Sequence, residues 1–426
     1  MNNAREFHWP SILQFVLSLI AAVALFLAGG LLLVVGVTEL VSSGFNSPEA
    51  TESFLLGTSF LLAGGLMLPS AWYALRRLGS PSAPPSPRRR ARLLILILLL
   101  TLLVPPALFV GNLVSQNDTI AWFLLPGINL LVISLPIAWL VWLGKRGLPG
   151  GSNQRQWGIF ASGLTLGPAL TLGAELLAIL GLGSLLILAM TLDQNLFRQL
   201  STLLIRLGNA PPDMDAWLRI LTPLLSQPIT LIGIFTFGSV LTPLIEEALK
   251  PIGLWLLAGR RLTPAEGFVG GLLSGAAFAL FENLGNTSAG GETWAMLAAA
   301  RITTALLHML TTGLVGWALA HAWSRGRYFR LAVAYTTSVT LHGLWNGLGI
   351  AGFLLPQLTL PEGMTISPDT VLNLIVVALS VFTALNLFFY LAINRGLRKF
   401  TPPPSVLPPA LPAEPAAGEH PNPDQE

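Results

Sequence analysis

Apolar runs long enough to cross a hydrocarbon layer of ~30 Å as helices recur along the whole chain. Ten qualify, near residues 11 to 37, 53 to 75, 93 to 114, 121 to 143, 157 to 190, 228 to 257, 264 to 285, 294 to 323, 331 to 353 and 371 to 393. The first is longer than a signal-peptide core and has no small-residue cleavage site after it, so it reads as a retained anchor. The fifth is overlong and carries Gly163, Gly167, Pro168, Gly173, Gly181 and Gly183, a composition that predicts a broken or tilted helix. Between spans, Thr191 to Gln227 contains "NLFRQLSTLLIRLG", the pattern of an amphipathic helix lying at the outer interface. "GSPSAPPSPRRRAR" (Gly79 to Arg92) and the tail "TPPPSVLPPALPAEPAAGEHPNPDQE" have nothing to bury and are expected to be disordered. The pattern therefore predicts an all-α, polytopic transmembrane helix bundle of about ten spans. Its expected parts are an N-terminal membrane region (1–227, five spans and the interfacial helix), a core (228–353) in which polar residues inside spans gather, a last span (354–400) and a Pro-rich tail (401–426).

Composition supports this reading. Hydrophobic residues make up 53% of the 426 and charged ones only 10%, where soluble domains carry roughly 25% charged residues. A multi-pass protein of the cell membrane, with the lipid bilayer as its first partner, is the expectation. The net charge of +3 does not indicate nucleic acid, because no basic patch is interleaved with aromatic residues. It reports topology instead. Eighteen of the 23 basic residues fall in connections on one side: Arg5, the Arg76 to Arg92 linker, Lys145 to Arg155, Arg260 and Arg261, Arg325 to Arg330, and Arg395 to Lys399. The opposite connections carry mainly acids and only Arg198, Arg206 and Arg219, so the positive-inside rule places both termini in the cytoplasm. The chain has no cysteine, which excludes disulfides, thiol nucleophiles and Cys-based metal sites.

Against this background the stretch "LTPLIEEALKPIGLWLL" (Leu241 to Leu257) raises a question, since each ionisable group at mid-bilayer costs at least ~2.5 kcal/mol on insertion scales. Lys250 lies four residues after Glu246 and three after Glu247, so it can pair with either. The next three spans also carry polar pairs at helical spacing. "FALFEN" puts Phe278 and Glu282 on one face, "RITTALLHMLTTG" puts Arg301 and His308 two turns apart, and "LHGLWNG" puts His342 and Asn346 one turn apart. Counted at ~1.5 Å per residue, Glu247 and His342 come out roughly 15 Å from one face and His308 about 21 Å from the other, all near mid-bilayer. Glu282 comes out closer to the outer leaflet, so only a bent or displaced helix would bring it level with them. Lys250 and Arg301 read as supporting cations, Arg301 neutralising Glu282 or the dyad. Glu175, alone in the fifth span, has no evident partner in sequence.

Two carboxylates and two imidazoles at one depth can activate water against a peptide carbonyl, one carboxylate serving as base and the imidazoles either holding a metal or stabilising an oxyanion. Other intramembrane proteolytic designs are missing. No Asp lies within a span, no HExxH occurs, and Ser274 in "GGLLSG" lacks the glycine two positions before it that a GxSG serine site needs.

In this order, "EEALK", "FALFEN", "RITTALLHMLTTG" and "HGLWN" resemble the PrsW family of intramembrane proteases, within the superfamily of CAAX-processing and bacteriocin-processing proteases. The resemblance covers about Pro228 to Gly349. It implies that Glu246 and Glu247 are the essential pair and that Glu282, His308, His342 and Asn346 complete the catalytic site. It also implies a metalloprotease acting on a membrane-anchored protein, an anti-sigma factor in regulated proteolysis. The expected division of labour has Glu247 activating water with help from Glu246, Asn346 orienting a histidine, and His308 and His342, with Glu282, holding a divalent metal, zinc by donor type. The five spans before the motifs give no substrate. Readings from other classes are a proton-coupled transporter or channel using the same Glu, His and Arg, and a non-catalytic binding protein on the same fold. Matching broken helices in inverted halves, which a transporter would favour, are not visible in the sequence.

The charge asymmetry makes a direct prediction. Single cysteines introduced in the Arg76 to Arg92 linker and in the Ser43 to Thr51 connection should react with an impermeant thiol reagent from opposite faces of sealed vesicles; labelling from one face would overturn the assigned topology.

Overall fold

The computed structural model describes residues 8–79, 95–192, 194–210, 214–225, 228–289, 291–355 and 367–400. Nearly all of the basic linker and all of the Pro-rich tail lie outside them. Among the described residues every regular element is helical.

The order of elements follows the apolar runs. Helix α1 (Trp9–Ser42) forms an antiparallel hairpin with α2 (Pro48–Gly79). The third run is a pair, α3 (Ile95–Thr101) and α4 (Val104–Val114), bent by 42° where Pro105 and Pro106 open α4. Helix α5 (Asp118–Lys145) leads to α6 (Asn153–Leu192), which passes through Pro168 without a break. The glycines and proline thus do not break the helix, which is continuous over 40 residues. The amphipathic region is two helices rather than one, α7 (Gln194–Gly208) and α8 (Met214–Leu225). The sixth run is divided into α9 (Pro228–Thr236), a π-helical turn (Phe237–Leu241), α10 (Thr242–Leu249) and α11 (Ile252–Trp255). Then come α12 (Pro264–Asn286), two 3₁₀ turns (Thr287–Ala289 and Gly291–Thr293), α13 (Trp294–Arg325), α14 (Tyr328–Leu354) and α15 (Pro368–Lys399).

Eight described helical segments are long and apolar enough to span a bilayer, nine if the bent α3–α4 pair counts as one span. Helix α14 has the length to be the tenth but is too polar to be assigned by composition, because it carries Tyr335, Thr336, Thr337, Ser338, Thr340, His342 and Asn346. The chain is an integral membrane protein.

Helix α12 is the axis of the bundle, packed against α13, α6, α5, α2 and α15. Every residue from Gly267 to Leu280 is buried. Its sequence explains this: "GFVGGLLSGAAFA" is rich in Gly, Ala and Ser, which let neighbouring backbones approach closely and substitute van der Waals contact for the hydrophobic effect that lipid cannot supply. Against antiparallel α13 the fit is in strict register. A Cβ on Gly267, Gly271 or Gly275 would run into the carbonyl of Gly316, Thr312 or His308, respectively. Where α12 begins, Thr263 and Glu266 form a capping box, and Arg155 of α6 pairs with the same Glu266.

The N-terminal helices and α15 are fastened to the core by polar contacts that lipid cannot replace. The Trp294 indole donates to Asn129 of α5 (3.1 Å), the Tyr390 hydroxyl to the Leu140 carbonyl (2.7 Å), and Asn394 to the carbonyls of Gly144 and Arg146 (2.6 and 3.1 Å) at the end of α5. The register makes a prediction. Gly271→Ala should destabilise the purified protein by about 1–3 kcal/mol through overpacking. Gly285→Ala, which meets nothing within 4 Å, should be neutral or slightly stabilising; thermal unfolding in detergent distinguishes them.

Candidate active site

Local backbone chemistry places the glutamate pair. Pro251 has no N–H, so the helix breaks after Lys250, and the Leu254 N–H turns to the Pro251 carbonyl (2.8 Å). The Lys250 carbonyl, left over by the break, accepts the Ser274 hydroxyl of α12. On the other side of α10 the π turn is held by α14: Asn346 donates to the Gly238 carbonyl (2.9 Å), and Gly343 leaves no room for a Cβ beside Ser239. The Tyr335 hydroxyl donates to the Leu244 carbonyl (2.6 Å). Both ends of α10 are therefore fixed by its neighbours, and the carboxylates inherit that rigidity.

Glu246 and Glu247 are buried, with side-chain exposures of 8% and 0%, and both contact the Lys250 ammonium, at 2.7 and 3.0 Å. His308 and His342 arrive from α13 and α14 with their rings 5.1 Å apart and nearly perpendicular. His308 Nδ1 lies 2.6 Å from the Lys250 Nζ and its Nε2 2.9 Å from Glu282 Oε2. Lysine can only donate, which assigns the His308 proton to Nε2. His342 Nδ1 lies 3.0 Å from Glu247 Oε1, so that nitrogen carries the proton and the ring's Nε2 keeps a lone pair. This lone pair faces Glu246 Oε2 at 3.8 Å.

The register of α12 with α13 explains how Glu282 reaches the group despite its position in sequence. It stands level with Arg301, which pairs with it at 2.6 Å, while His308 stands level with Gly275. The axial offset of about 10 Å is closed because helical side chains lean toward their own N-termini, and in an antiparallel pair they lean toward each other. No bend in α12 is required. Phe278 fills the space between, its ring 5.7 Å from the His308 ring and 5.0 Å from the Lys250 Nζ.

Glu246, Glu247, Glu282, His308, His342, Lys250 and Arg301 therefore meet at one place. Asn346 stands apart from both imidazoles in its bonding: its amide supports the π turn instead of orienting a histidine. Arg301 is tied as much to Asn283 as to Glu282, since its Nε donates to Asn283 Oδ1 (2.8 Å) and Asn283 Nδ2 donates to the Arg301 carbonyl (2.7 Å). Two contributors escape sequence reasoning. Ser274 lies one turn before Phe278 on the same stripe, a spacing that could have identified it. Glu175, on α6, lies against Thr242, one turn before Glu246, and nothing local in sequence foretells that.

Residues 176–384 match the PrsW family of intramembrane metalloproteases. The resemblance carried by the motifs is borne out, and the matched segment runs from α6 into α15. It contains every PrsW-type site residue expected from sequence and begins one residue after Glu175. No curated protein and no solved structure matches the chain.

A family of metalloproteases implies a divalent ion, and the residues present fit one. Glu246, His308 and His342 offer ligand atoms within 4.8 Å of one another, the two-histidine, one-carboxylate set of catalytic zinc. The carboxylate grouped with the imidazoles in this way is Glu246, whereas the sequence pointed to Glu282, which is engaged by Arg301. Charge agrees with the fit. Among the described residues the Lys and Arg cations paired with Glu246, Glu247 and Glu282 are Lys250 and Arg301, and with Glu175 nearby the carboxylates outnumber them, an excess of negative charge in an apolar surround that a bound cation or protons must offset.

Removing the Asn346 amide tests its reassignment. Asn346→Ala should lower turnover by loosening the π turn while leaving the metal content of the purified protein unchanged; a proportional loss of bound metal would return Asn346 to the histidines.

Proposed function

We propose that this PrsW-type segment hydrolyses a peptide bond of a membrane-anchored protein, with Glu246 as the base that activates water. One observation carries the assignment: the lone pair of His342 Nε2 and the Glu246 carboxylate face each other at 3.8 Å, two acceptors with no proton between them, as a water that donates to both requires. Glu247, closed off from the surface, accepts the Nδ1 proton of His342 and so fixes that ring's tautomer. The roles read from sequence, with Glu247 as base and Glu246 assisting, are exchanged in this reading. The water oxygen attacks the carbonyl carbon while its proton passes to Glu246. The oxyanion develops beside the cation of the site, the Lys250 ammonium or a divalent ion in its place, and Glu246 then returns the proton to the leaving nitrogen as the C–N bond breaks. Glu246, His308 and His342 would hold a divalent ion, which would polarise the carbonyl and make the water more acidic, the His342 Nε2 lone pair then serving the ion in place of the water.

Convergence of the charged groups at one depth supports hydrolysis over a proton relay, which would string such groups along a path across the bilayer. An anti-sigma factor is the class of substrate that the family resemblance suggests, the cell membrane is the expected location, and zinc is the ion that the donor set favours.

Glu246→Gln keeps the shape and removes the base, so cleavage of co-expressed single-span reporter proteins should fall by a factor of about 100 to 10,000 with membrane insertion preserved. Glu247→Gln should cost less. Wild-type turnover by the Glu246 variant would remove it as the base. Exhaustive chelation that leaves both full activity and no stoichiometric metal would overturn the metal set and leave the carboxylate-activated water in place.

A further inference from the structure

Three acceptor atoms surround the Lys250 ammonium, Glu246 Oε2 at 2.7 Å, Glu247 Oε1 at 3.0 Å and His308 Nδ1 at 2.6 Å, and the His342 ring lies against it with Nδ1 at 3.4 Å. The side chain is completely buried, and its backbone is pinned by the break at Pro251 and by the Ser274 hydroxyl. Three of those four residues, Glu246, His308 and His342, are also the set whose ligand atoms gather within 4.8 Å. Two of the ammonium's acceptors, on Glu246 and His308, thus belong to the set that would serve a divalent ion. Two cations among these few atoms in an apolar interior repel strongly, and each would withdraw the lone pairs that the other needs.

We propose that Lys250 is the resident cation of this cage and that its ammonium and a divalent ion are alternative occupants of one place, so that metal enters only by displacing Lys250 from Glu246 and His308. The inference rests on reading those three residues as the metal set. Glu247 lies outside the set and is the partner that the displaced ammonium retains, and the Phe278 ring, 5.0 Å from Nζ, offers it a second attractive face. Lys250 accordingly does two things at once. It neutralises the carboxylate pair when no metal is present, which keeps the buried site folded, and it lowers the affinity with which the site takes up an ion.

The test is the affinity of the full-length purified protein for Zn²⁺ in detergent, measured by equilibrium dialysis with metal analysis. Lys250→Met removes the competing charge and should bind Zn²⁺ at least about tenfold more tightly than wild type, whereas Lys250→Arg, which keeps the charge, should bind no more tightly. Because Lys250→Met alone strands buried carboxylates and can fail to fold, the double variant Glu247→Gln/Lys250→Met is measured beside it. It removes one charge of each sign, leaves the three ligands intact and should show the same tightening. Unchanged or weaker binding by a folded Lys250→Met or double variant overturns the exclusion while leaving a metal site that wild type also fills. No Zn²⁺ binding by any of the proteins overturns both the exclusion and the metal set.

Discussion

The fully buried Lys250 ammonium is held by the carboxylates of Glu246 and Glu247 and by His308, with His342 against it, so its charge is tolerated only while those partners remain in place. The partners come from three helices. Glu246 and Glu247 share α10 with the lysine, His308 belongs to α13, and His342 to α14. Separating α13 or α14 from α10 would break the His308–Lys250 or His342–Glu247 contact and leave buried polar groups unsatisfied, at a cost of about 1–3 kcal/mol each. The ion cluster therefore acts as a tertiary lock as well as a reactive centre, and chemistry and stability are not separable at this site.

The apolar parts of the bundle serve that lock by geometry. Small residues along one face of α12 bring its backbone against α13 in a register that puts Gly275 opposite His308 and Glu282 opposite Arg301. A bulkier stripe would widen the gap and lift Phe278 away from His308. The break at Pro251 and the π turn at Phe237–Leu241 bracket α10 on either side of the carboxylates, and each irregularity is satisfied by a neighbour, Ser274 from α12 and Asn346 from α14. Irregular backbone inside a membrane is tolerable only when its freed polar groups are bonded within the protein, so these two side chains are conditions for the site's existence.

The N-terminal region is part of this arrangement. Helix α5 receives Trp294 near its middle and Tyr390 and Asn394 toward its C-terminal end, so it clamps α13 and α15. Helix α6 packs along α12 and brings Glu175 beside Thr242. The family match begins at residue 176, yet the charge balance of the site and the packing of its central helix involve residues before that point.

The sequence by itself determined the class of fold, because apolar runs of span length in a chain with so few charges admit only a bundle of membrane helices. It also determined which polar side chains matter: an ionisable group within such a run is costly, and Glu246, Glu247, Lys250, Glu282, Arg301, His308 and His342 stand out for that reason alone. The family resemblance was legible for the same reason, since the motifs are those charges at helical spacing. Tertiary structure alone decided how these groups divide their work. Which imidazole nitrogen faces which carboxylate, whether Glu246 or Glu282 joins the histidines, and whether Asn346 serves a ring or a backbone carbonyl depend on helix register and on the lean of side chains between helices. Periodicity within one helix carries no information about either. Glu175 was missed on the same account, for its significance lies in which helix it touches, and contact between helices is a property of packing that a linear pattern does not record.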